Sequence, residues 1–222
     1  MAIQPMKKRR TQAERSEAMR KRILDATLNC LASEGYAGTT VSRIIEVAGV
    51  SRGALMHHFD NKEALIAATA KMMVRRVYMQ MGQAMGALRK SDDRLHDILY
   101  NVWKNVFNHS LYRALLELLL ASQRDDELAT TLQQVWTAGY ITLGNAAEHY
   151  LEPIQEGTDV RQIMVLAQWL LRGMALDHHL VEDPGLFDHF LRLWSNMLAL
   201  HLRAKPGVTE PPPRPPSWDM LL

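Results

Sequence analysis

Apolar residues recur at helical spacing along most of the chain, and residues 40–62 hold two short helical patterns that meet at a glycine. Thr40 stands before the first pattern, where its hydroxyl can accept from backbone N–H groups left unpaired in a first turn. Gly49 can adopt the left-handed conformation that ends a helix, and Ser51 can cap the next one. The apolar stripe of the first helix, at i, i+3, i+4 and i+7, consists of Val41, Ile44, Ile45 and Ala48. The pattern predicts a helix-turn-helix.

The second short helix presents two different faces. Leu55 and Phe59 lie four residues apart and should anchor the helix inward. The outward positions are Arg52, Gly53, Met56 and His57. A helix of this width fits a DNA major groove with its N-terminal residues near the base edges, so DNA binding is the leading interpretation.

Individual DNA contacts can be assigned from side-chain chemistry. Arg52 is the best candidate for reading a base, because its guanidinium can donate hydrogen bonds to guanine O6 and N7 at the same time. Gly53 and Ala54 permit close backbone approach, and Ala54 can also touch a thymine methyl. Arg43 fits either a contact or a structural role, and His58 fits either a phosphate contact or a local hydrogen bond that holds the turn. The candidates for phosphate contacts are Thr40, Ser42, His57, His58 and Lys62.

Helical spacing predicts seven further helices, and no segment shows a convincing strand alternation. We expect an all-α fold of about nine helices, with a three-helix N-terminal helix-turn-helix domain before a larger helical bundle. The first helix should bury Ile23, Ala26, Thr27, Cys30 and Leu31. The seven further helices are predicted at about 11–34, 61–88, 92–107, 110–122, 126–151, 159–181 and 184–204.

The net charge of the 222-residue chain is only +2, but its distribution is uneven. Residues 1–62 hold 11 Lys and Arg against 6 Asp and Glu, whereas residues 63–222 hold 15 against 18. Positive charge therefore accompanies the DNA-reading pattern, as attraction to phosphates requires. Within it, the basic residues Lys7, Lys8, Arg9 and Arg10 could reach a groove or form a solvated tail.

The single cysteine, Cys30, excludes an intrachain disulfide and lies on an apolar stripe, so we expect a core residue rather than a redox sensor. No segment approaches the roughly 18 apolar residues that a membrane span needs. The N-terminus also lacks the apolar stretch of a signal peptide. These observations predict a soluble cytoplasmic protein without a membrane partner.

The last two predicted helices are apolar on more than one face, which indicates a second partner outside their own fold. A second copy of the chain would supply that partner, although a monomer with both helices deep in its core is the alternative. The residues predicted at this dimer interface are Leu166, Leu170, Met174, Phe190, Trp194 and Met197.

Few residue patterns in the sequence support metal binding or catalysis. His178 and Glu182 lie four apart near a helix end, beside Asp177 and His179, and transition metals do use such pairs. A helix C-terminus also favours histidine without any metal. The chain has no glycine-rich phosphate loop, nucleophile elbow or HExxH pattern. We predict no metal, no cofactor and no enzymatic activity.

The helix-turn-helix resembles the DNA-binding domain of TetR/AcrR-type bacterial regulators over roughly residues 20–65. The resemblance implies an all-helical homodimer that pairs its last two helices and binds an effector. Met56 is a departure, because the family usually has a tyrosine there that bonds a phosphate, and a thioether cannot donate. The resemblance rests on Ala48-Gly49-Val50-Ser51-Arg52-Gly53-Ala54-Leu55, His58-Phe59 and Asn61-Lys62-Glu63-Ala64-Leu65.

The same resemblance places the effector pocket inside the fourth to eighth helices. The bulky residues available there suggest an apolar or aromatic small molecule, although any single one of them is more often plain core than the wall of a ligand site. The candidates are Trp103, Phe107, Leu115, Leu118, Trp136, Tyr140, Met164 and Trp169.

These expectations combine into a ligand-responsive transcriptional regulator. It would be a repressor that leaves a near-palindromic operator on double-stranded DNA when the effector binds. The alternative is a helical binding module that no longer recognises DNA, which Met56 favours. The predicted divisions are a basic arm with the start of the first helix (1–19), the helix-turn-helix domain (20–66), the effector and dimerisation domain (67–204) and a disordered proline-rich tail (205–222).

Overall fold

The computed structural model describes residues 11–86, 93–183, 185–208, 210 and 212–213. In these residues the chain forms nine α-helices and one short pair of strands, so the predicted all-α fold is confirmed. The helices are α1 (Gln12–Gly38), α2 (Val41–Ala48), α3 (Arg52–His58), α4 (Lys62–Gly86), α5 (Arg94–Val102), α6 (Ser110–Ala121), α7 (Asp126–Tyr150), α8 (Val160–Asp177) and α9 (Gly185–Leu198). None of the described helices is both long and apolar enough to cross a membrane.

Helices α1 to α3 and the start of α4 enclose a small apolar cluster, which we call the N-terminal cluster. Cys30 is buried in it, as expected, and Met72 of α4 packs against its edge. Every residue predicted to be buried on the first helix is indeed buried. The buried members of the N-terminal cluster are Ile23, Leu24, Cys30, Ile44, Leu55, Phe59 and Leu65.

A second and much larger apolar cluster fills the helical body formed by α4 to α9. Helix α4 packs along α7, α7 along α8, and α5 along α9. Met72 of α4 also packs against this second cluster, so α4 contributes to both. At about 1.5 Å per residue the 25 residues of α4 span roughly 37 Å, so this helix connects the two cores. Helix α1 connects them too, because its Leu28 and Leu31 belong to the second cluster.

Several helices do not end at the residues that the sequence predicted, because the backbone adopts another conformation or hydrogen-bond pattern there. Helix α1 continues past Glu34 to Gly38 through a non-helical residue, Gly35, with φ of 69°. The predicted helix over 92–107 divides into α5 and a π-helical turn (Trp103–Phe107) that buries three apolar side chains. Similarly, α8 ends at Asp177, and a 3₁₀ turn (His178–Leu180) follows it.

Two short strands were not predicted at all. The helices expected to reach residues 151 and 204 end at Tyr150 and Leu198, because the segments that follow pair with each other. Strand β1 (Leu151–Pro153) runs antiparallel to β2 (Leu202–Ala204), with Leu151 opposite Ala204. This ladder satisfies backbone groups that a longer helix would have bonded internally.

The beginning of the predicted disordered tail is held against the body. Arg94 donates from its two terminal nitrogens to the carbonyls of Lys205 (3.2 Å) and Val208 (2.9 Å). The backbone N–H of Lys205 donates to the carbonyl of Tyr150 at 2.9 Å. The expectation of disorder is therefore wrong for residues 205–208. The expectations for Lys7, Lys8, Arg9 and Arg10, and for residues 214–222, fall outside the described residues.

Candidate nucleic-acid interface

The helix-turn-helix forms through the three local signals that the sequence predicted. The Thr40 hydroxyl accepts from the backbone N–H of Arg43 at 3.2 Å and caps α2. Gly49 is left-handed, with φ of 59° and ψ of 46°. The Ser51 hydroxyl accepts from the N–H of Ala54 at 3.1 Å and caps α3. Two helices of eight and seven residues would be marginal alone, so these caps matter to their stability.

Gly49 also permits a close approach by α1. Arg22 donates from Nη2 to the Gly49 carbonyl at 3.0 Å. A Cβ atom at position 49 would lie 2.7 Å from that same nitrogen, so a side chain would displace the arginine. The turn is thus fastened to α1 from the side, which fixes the orientation of α3.

The orientation of α3 is the one that the sequence predicted. Leu55 and Phe59 are buried, while the opposite face is open to solvent. Met56 is 42% exposed and can offer apolar contact but no hydrogen bond. The exposed positions of α3 are Arg52, Gly53, Met56 and His57.

Arg52 has the chemistry and the freedom of a base reader. It is the first residue of α3, it is exposed, and no carboxylate among the described residues forms an ion pair with it. Its five N–H donors are therefore available to an external acceptor. A guanidinium at the N-terminal end of such a helix can bond both acceptors of one guanine.

The other candidate contacts differ in how free their side chains are. Ser42 is exposed, whereas His58 is half-buried and meets the His57 ring edge-on at 5.4 Å. Arg43 pairs with Glu34 (2.7 Å) and Glu46 (2.9 Å), and these hydrogen bonds raise its pKa. A phosphate would have to compete with both carboxylates for Arg43, so the arrangement favours its structural role.

Lys62 and Tyr36 form part of a junction that the sequence did not reveal. The Lys62 ammonium lies 5.3 Å from the centre of the Tyr36 ring. The backbone N–H of Tyr36 donates to the Glu117 carboxylate at 3.1 Å, and its hydroxyl donates to Asp125 at 3.1 Å. Glu117 belongs to α6 and Asp125 caps α7, so one residue after the bend at Gly35 ties α1 to the helical body.

The residues predicted to line an effector pocket have three kinds of surroundings. Trp136 is half-buried, whereas Tyr140 and Trp169 are on the surface, with Trp169 55% exposed. The other five are buried in the core of the helical body; they are Trp103, Phe107, Leu115, Leu118 and Met164.

A polar group in the middle of the helical body was missed by the sequence reasoning. It joins α4, α6 and α8 and consists of Tyr78, Tyr112, Gln168 and Arg172, which we call the Arg172 cluster. Gln168 and Arg172 lie four residues apart on α8, and this spacing was the one signal in the sequence. Hydrophobic periodicity does not identify such a group, because its members come from distant parts of the chain.

The predicted dimer residues lie on the outer faces of α8 and α9. Leu166 is 51% exposed and Leu170, Phe190 and Met197 are also exposed, whereas Met174 and Trp194 are half-buried against the core. Leu193 extends the exposed apolar row on α9, and Leu200, two residues past the end of that helix, is exposed as well. The two helices therefore keep the second apolar face that the sequence indicated.

The histidine-rich end of α8 has a packing role. The His178 ring lies 5.8 Å from that of Trp103 and 5.1 Å from that of Phe187. Across the described residues, no three His, Cys, Asp or Glu side chains come close enough together to hold a metal ion.

The fold and the site together define a helix-turn-helix protein with a larger helical body, and the comparisons agree. Residues 23–69 match the model of the family described as bacterial regulatory proteins, tetR family. Over these residues the chain is therefore similar to the DNA-binding part of that family.

The length of chain that is similar differs from one relative to another. The HTH-type transcriptional regulator CymR of Pseudomonas putida is 32% identical over 127 residues, which are 57% of this chain and 62% of CymR. The HTH-type transcriptional repressor AcnR of Corynebacterium efficiens is 48% identical over 52 residues, 23% of this chain and 28% of AcnR. These matches thus span less than two thirds of either relative.

Similarity of fold reaches further than similarity of sequence. A transcriptional regulator from Rhodococcus sp. Rha1 superposes with a TM-score of 0.64, covering 82% of this chain and 97% of its own, at 19% identity. At this identity the match concerns the fold alone.

Proposed function

We propose that the chain is a sequence-specific DNA-binding transcriptional regulator, a repressor that a small-molecule effector releases from its operator. The observation that carries the proposal is the capped helix-turn-helix, with Arg52 exposed at the start of α3 and unpaired with any carboxylate of the described residues. The match of residues 23–69 to the tetR family model and the names of CymR and AcnR support the same activity. Such a protein would act in the cytoplasm, where the DNA is.

The proposed DNA footprint follows from the exposed side chains around α3. Arg52 would read a base, with Gly53, Ala54 and Met56 in close contact with the groove. Lys62, at the N-terminus of α4, would bind a phosphate that the helix dipole also attracts. The other phosphate contacts would come from Thr40, Ser42, His57 and His58.

Dimerisation would bring two copies of α3 onto one face of DNA. The exposed apolar rows of α8 and α9 support a two-fold interface between identical surfaces. Two-fold symmetry would place the recognition helices about one DNA turn apart, or a modest multiple of it, and would favour an inverted repeat.

The effector would act by preferring one of two conformations. If it binds better to a dimer whose recognition helices are wrongly spaced, it weakens DNA binding by at most its difference in affinity for the two states. Helix α4 would transmit the change, because it begins at the DNA-binding end and contributes to the core of the body.

Selection of genomic DNA fragments by the purified protein tests the proposal. At near-physiological salt, where non-specific binding is weak, an enriched inverted repeat is expected. A matched selection with the Arg52→Ala variant should change the preference at one base position of each half-site. A folded, ligand-free dimer that enriches no sequence would overturn the proposal and favour a binding module without DNA recognition, as Met56 suggests.

A further inference from the structure

The Arg172 cluster lies where four helices of the body meet. Tyr78 comes from α4, Tyr112 from α6, and both Gln168 and Arg172 from α8. The guanidinium of Arg172 also lies over the ring of Trp136 on α7, 4.4 Å from its centre. The Arg172 cluster therefore lies within helices α4 to α8, the part of the fold in which the proposed effector should bind.

Arg172 is incompletely satisfied in this position. Its Nε donates to the Tyr112 hydroxyl at 3.1 Å, but its Nη2 atom is buried and has no hydrogen-bond partner in the part of the chain that the structure describes. Among the described residues no carboxylate forms an ion pair with it. Arg172 as a whole is half-buried, but a buried donor atom without an acceptor is costly, so an acceptor that reached Nη2 would be favourable.

The two tyrosines keep donors available beside that guanidinium. Burial raises the pKa of Tyr78 to about 12 and also raises the pKa of Tyr112, so both phenols are neutral near pH 7. Because Tyr112 accepts from Arg172, its own O–H remains available for donation to another group. Tyr78 is hydrogen-bonded to Gln168.

The surroundings of this polar group are aromatic and apolar. Phe107 packs against Tyr112 with ring centres 4.4 Å apart, and Trp136 covers one face of the guanidinium. Met164 is buried one turn before Gln168 on α8. An acceptor that enters here would therefore bring an apolar body with it.

We infer that the effector is a small organic carboxylate with an apolar body, and that Arg172 binds its carboxylate while Tyr112 donates a second hydrogen bond. The planar fork of a guanidinium matches a carboxylate, and the two charges neutralise each other inside the protein. A phosphate dianion would leave a buried negative charge uncompensated. This inference deepens the proposed function, on which the existence of an effector rests, and it adds a charge to the apolar or aromatic molecule expected from the sequence.

Matched acids and amides test the inference. Binding of benzoate, 4-isobutylbenzoate and octanoate to the full chain is measured by calorimetry, each beside its neutral amide, and inorganic phosphate is a further probe. We expect at least one acid to bind about 10- to 100-fold more tightly than its amide, the ratio expected for a charged hydrogen bond. The aromatic and aliphatic acids distinguish which apolar body the site accepts.

Variants assign that preference to Arg172. Arg172→Gln should abolish it, whereas Arg113→Gln, which changes an exposed arginine beside Tyr112, should leave it unchanged. Tyr112→Phe retains the ring and the guanidinium and should weaken acid binding without affecting the amide. This second variant keeps the test decisive if Arg172→Gln does not fold.

Several results would overturn the inference. They are an absence of acid preference throughout the panel, a preference that survives in Arg172→Gln, or phosphate binding as tight as that of the acids. None of these measurements involves DNA. A chain that prefers acids but enriches no operator would retain the carboxylate site and refute DNA regulation, whereas the opposite result would refute only the carboxylate site.

Discussion

Within the described parts of the chain, neither Arg52 of the helix-turn-helix nor Arg172 of the helical body pairs with a carboxylate, and the two lie in opposite surroundings. Arg52 is exposed at the start of a seven-residue helix, where water can satisfy its donors. The Nη2 atom of Arg172 is buried among aromatic rings, where water does not reach it. An unpaired arginine on the surface costs little, whereas a buried one strongly selects for a ligand of opposite charge.

The two regions also differ in how their cores are built. The N-terminal cluster has seven buried members, whereas more than five times as many residues form the cluster of the body. A small core depends more heavily on each of its side chains, because less apolar area is buried in total. We therefore expect substitutions to separate the regions by stability as well as by function.

Leu55→Ala should have the largest effect. Leu55 is fully buried in the N-terminal cluster, and a Leu→Ala change in such a position costs about 2–5 kcal/mol. Hydrogen exchange should show weaker protection in α1 to α3, with α6 and α7 unchanged, and DNA binding should be lost. Leu120→Ala, at an exposed position, is the control and should have little effect. Equal loss of protection throughout the chain would mean that the two cores unfold as one unit.

Arg52→Ala should affect DNA recognition and leave stability unchanged. Loss of one bidentate base contact costs about 1–3 kcal/mol and relaxes the preference at one position of each half-site. Binding to a series of single-base operator variants measures this. If affinity instead falls equally for all sequences and the salt dependence becomes shallower, Arg52 contacts phosphate only.

Gly139→Ala should disturb the Arg172 cluster without affecting the helix-turn-helix. A Cβ atom at this position of α7 would lie 2.0 Å from the Tyr78 ring, so the ring must move, and such overpacking costs about 1–3 kcal/mol. Denaturant unfolding measures the cost, and calorimetry with the acids should show weakened binding. The control is Gly82→Ala in α4, where a Cβ meets nothing within 4 Å and a small stabilisation is expected. Unchanged stability in Gly139→Ala would mean that the Tyr78 ring can move away from position 139 without a cost in free energy.

Tyr36→Phe should have the smallest effect of these four substitutions. The change removes the hydrogen bond to Asp125 but keeps the ring under Lys62, at a cost of about 0.5–1.5 kcal/mol. Because the hydroxyl joins α1 to the cap of α7, the variant should also weaken the coupling between effector and DNA binding. Operator affinity with and without effector measures that coupling, and a coupling identical to that of the wild type would exclude the hydroxyl from the transmission.

Local chemistry explains which features the sequence could predict. The caps at Thr40 and Ser51, the left-handed Gly49 and the buried Leu55 all depend on residues within one or two helical turns. The Tyr36 junction joins residues more than 80 positions apart, and the hydrogen bond from Arg172 to Tyr112 spans 60 positions. Periodicity carries no information about such distant pairs, because it reports only which face of a helix is buried.

The strands show a related limit. Helical spacing continues beyond Tyr150 and Leu198, so the sequence predicted longer helices there. Pairing between β1 and β2 ends both helices instead, and it depends on two segments about 50 residues apart in the chain. The predicted placement of DNA contacts on α3 was unaffected, because no residue of the helix-turn-helix pairs with either strand.

The Tyr36 junction has a practical consequence for the construction of chimeric regulators. Exchange of the N-terminal unit for that of a related regulator would supply a new DNA preference while keeping the ligand response of the body. Such a hybrid must retain a backbone N–H and a phenol donor at position 36, for the carboxylates of Glu117 and Asp125, and the bend at Gly35. A crossover after Lys62 would replace Tyr36 while its partners Glu117 and Asp125 stay in the body. A tyrosine at the position equivalent to 36 is therefore the first criterion for choosing the protein that donates the N-terminal unit.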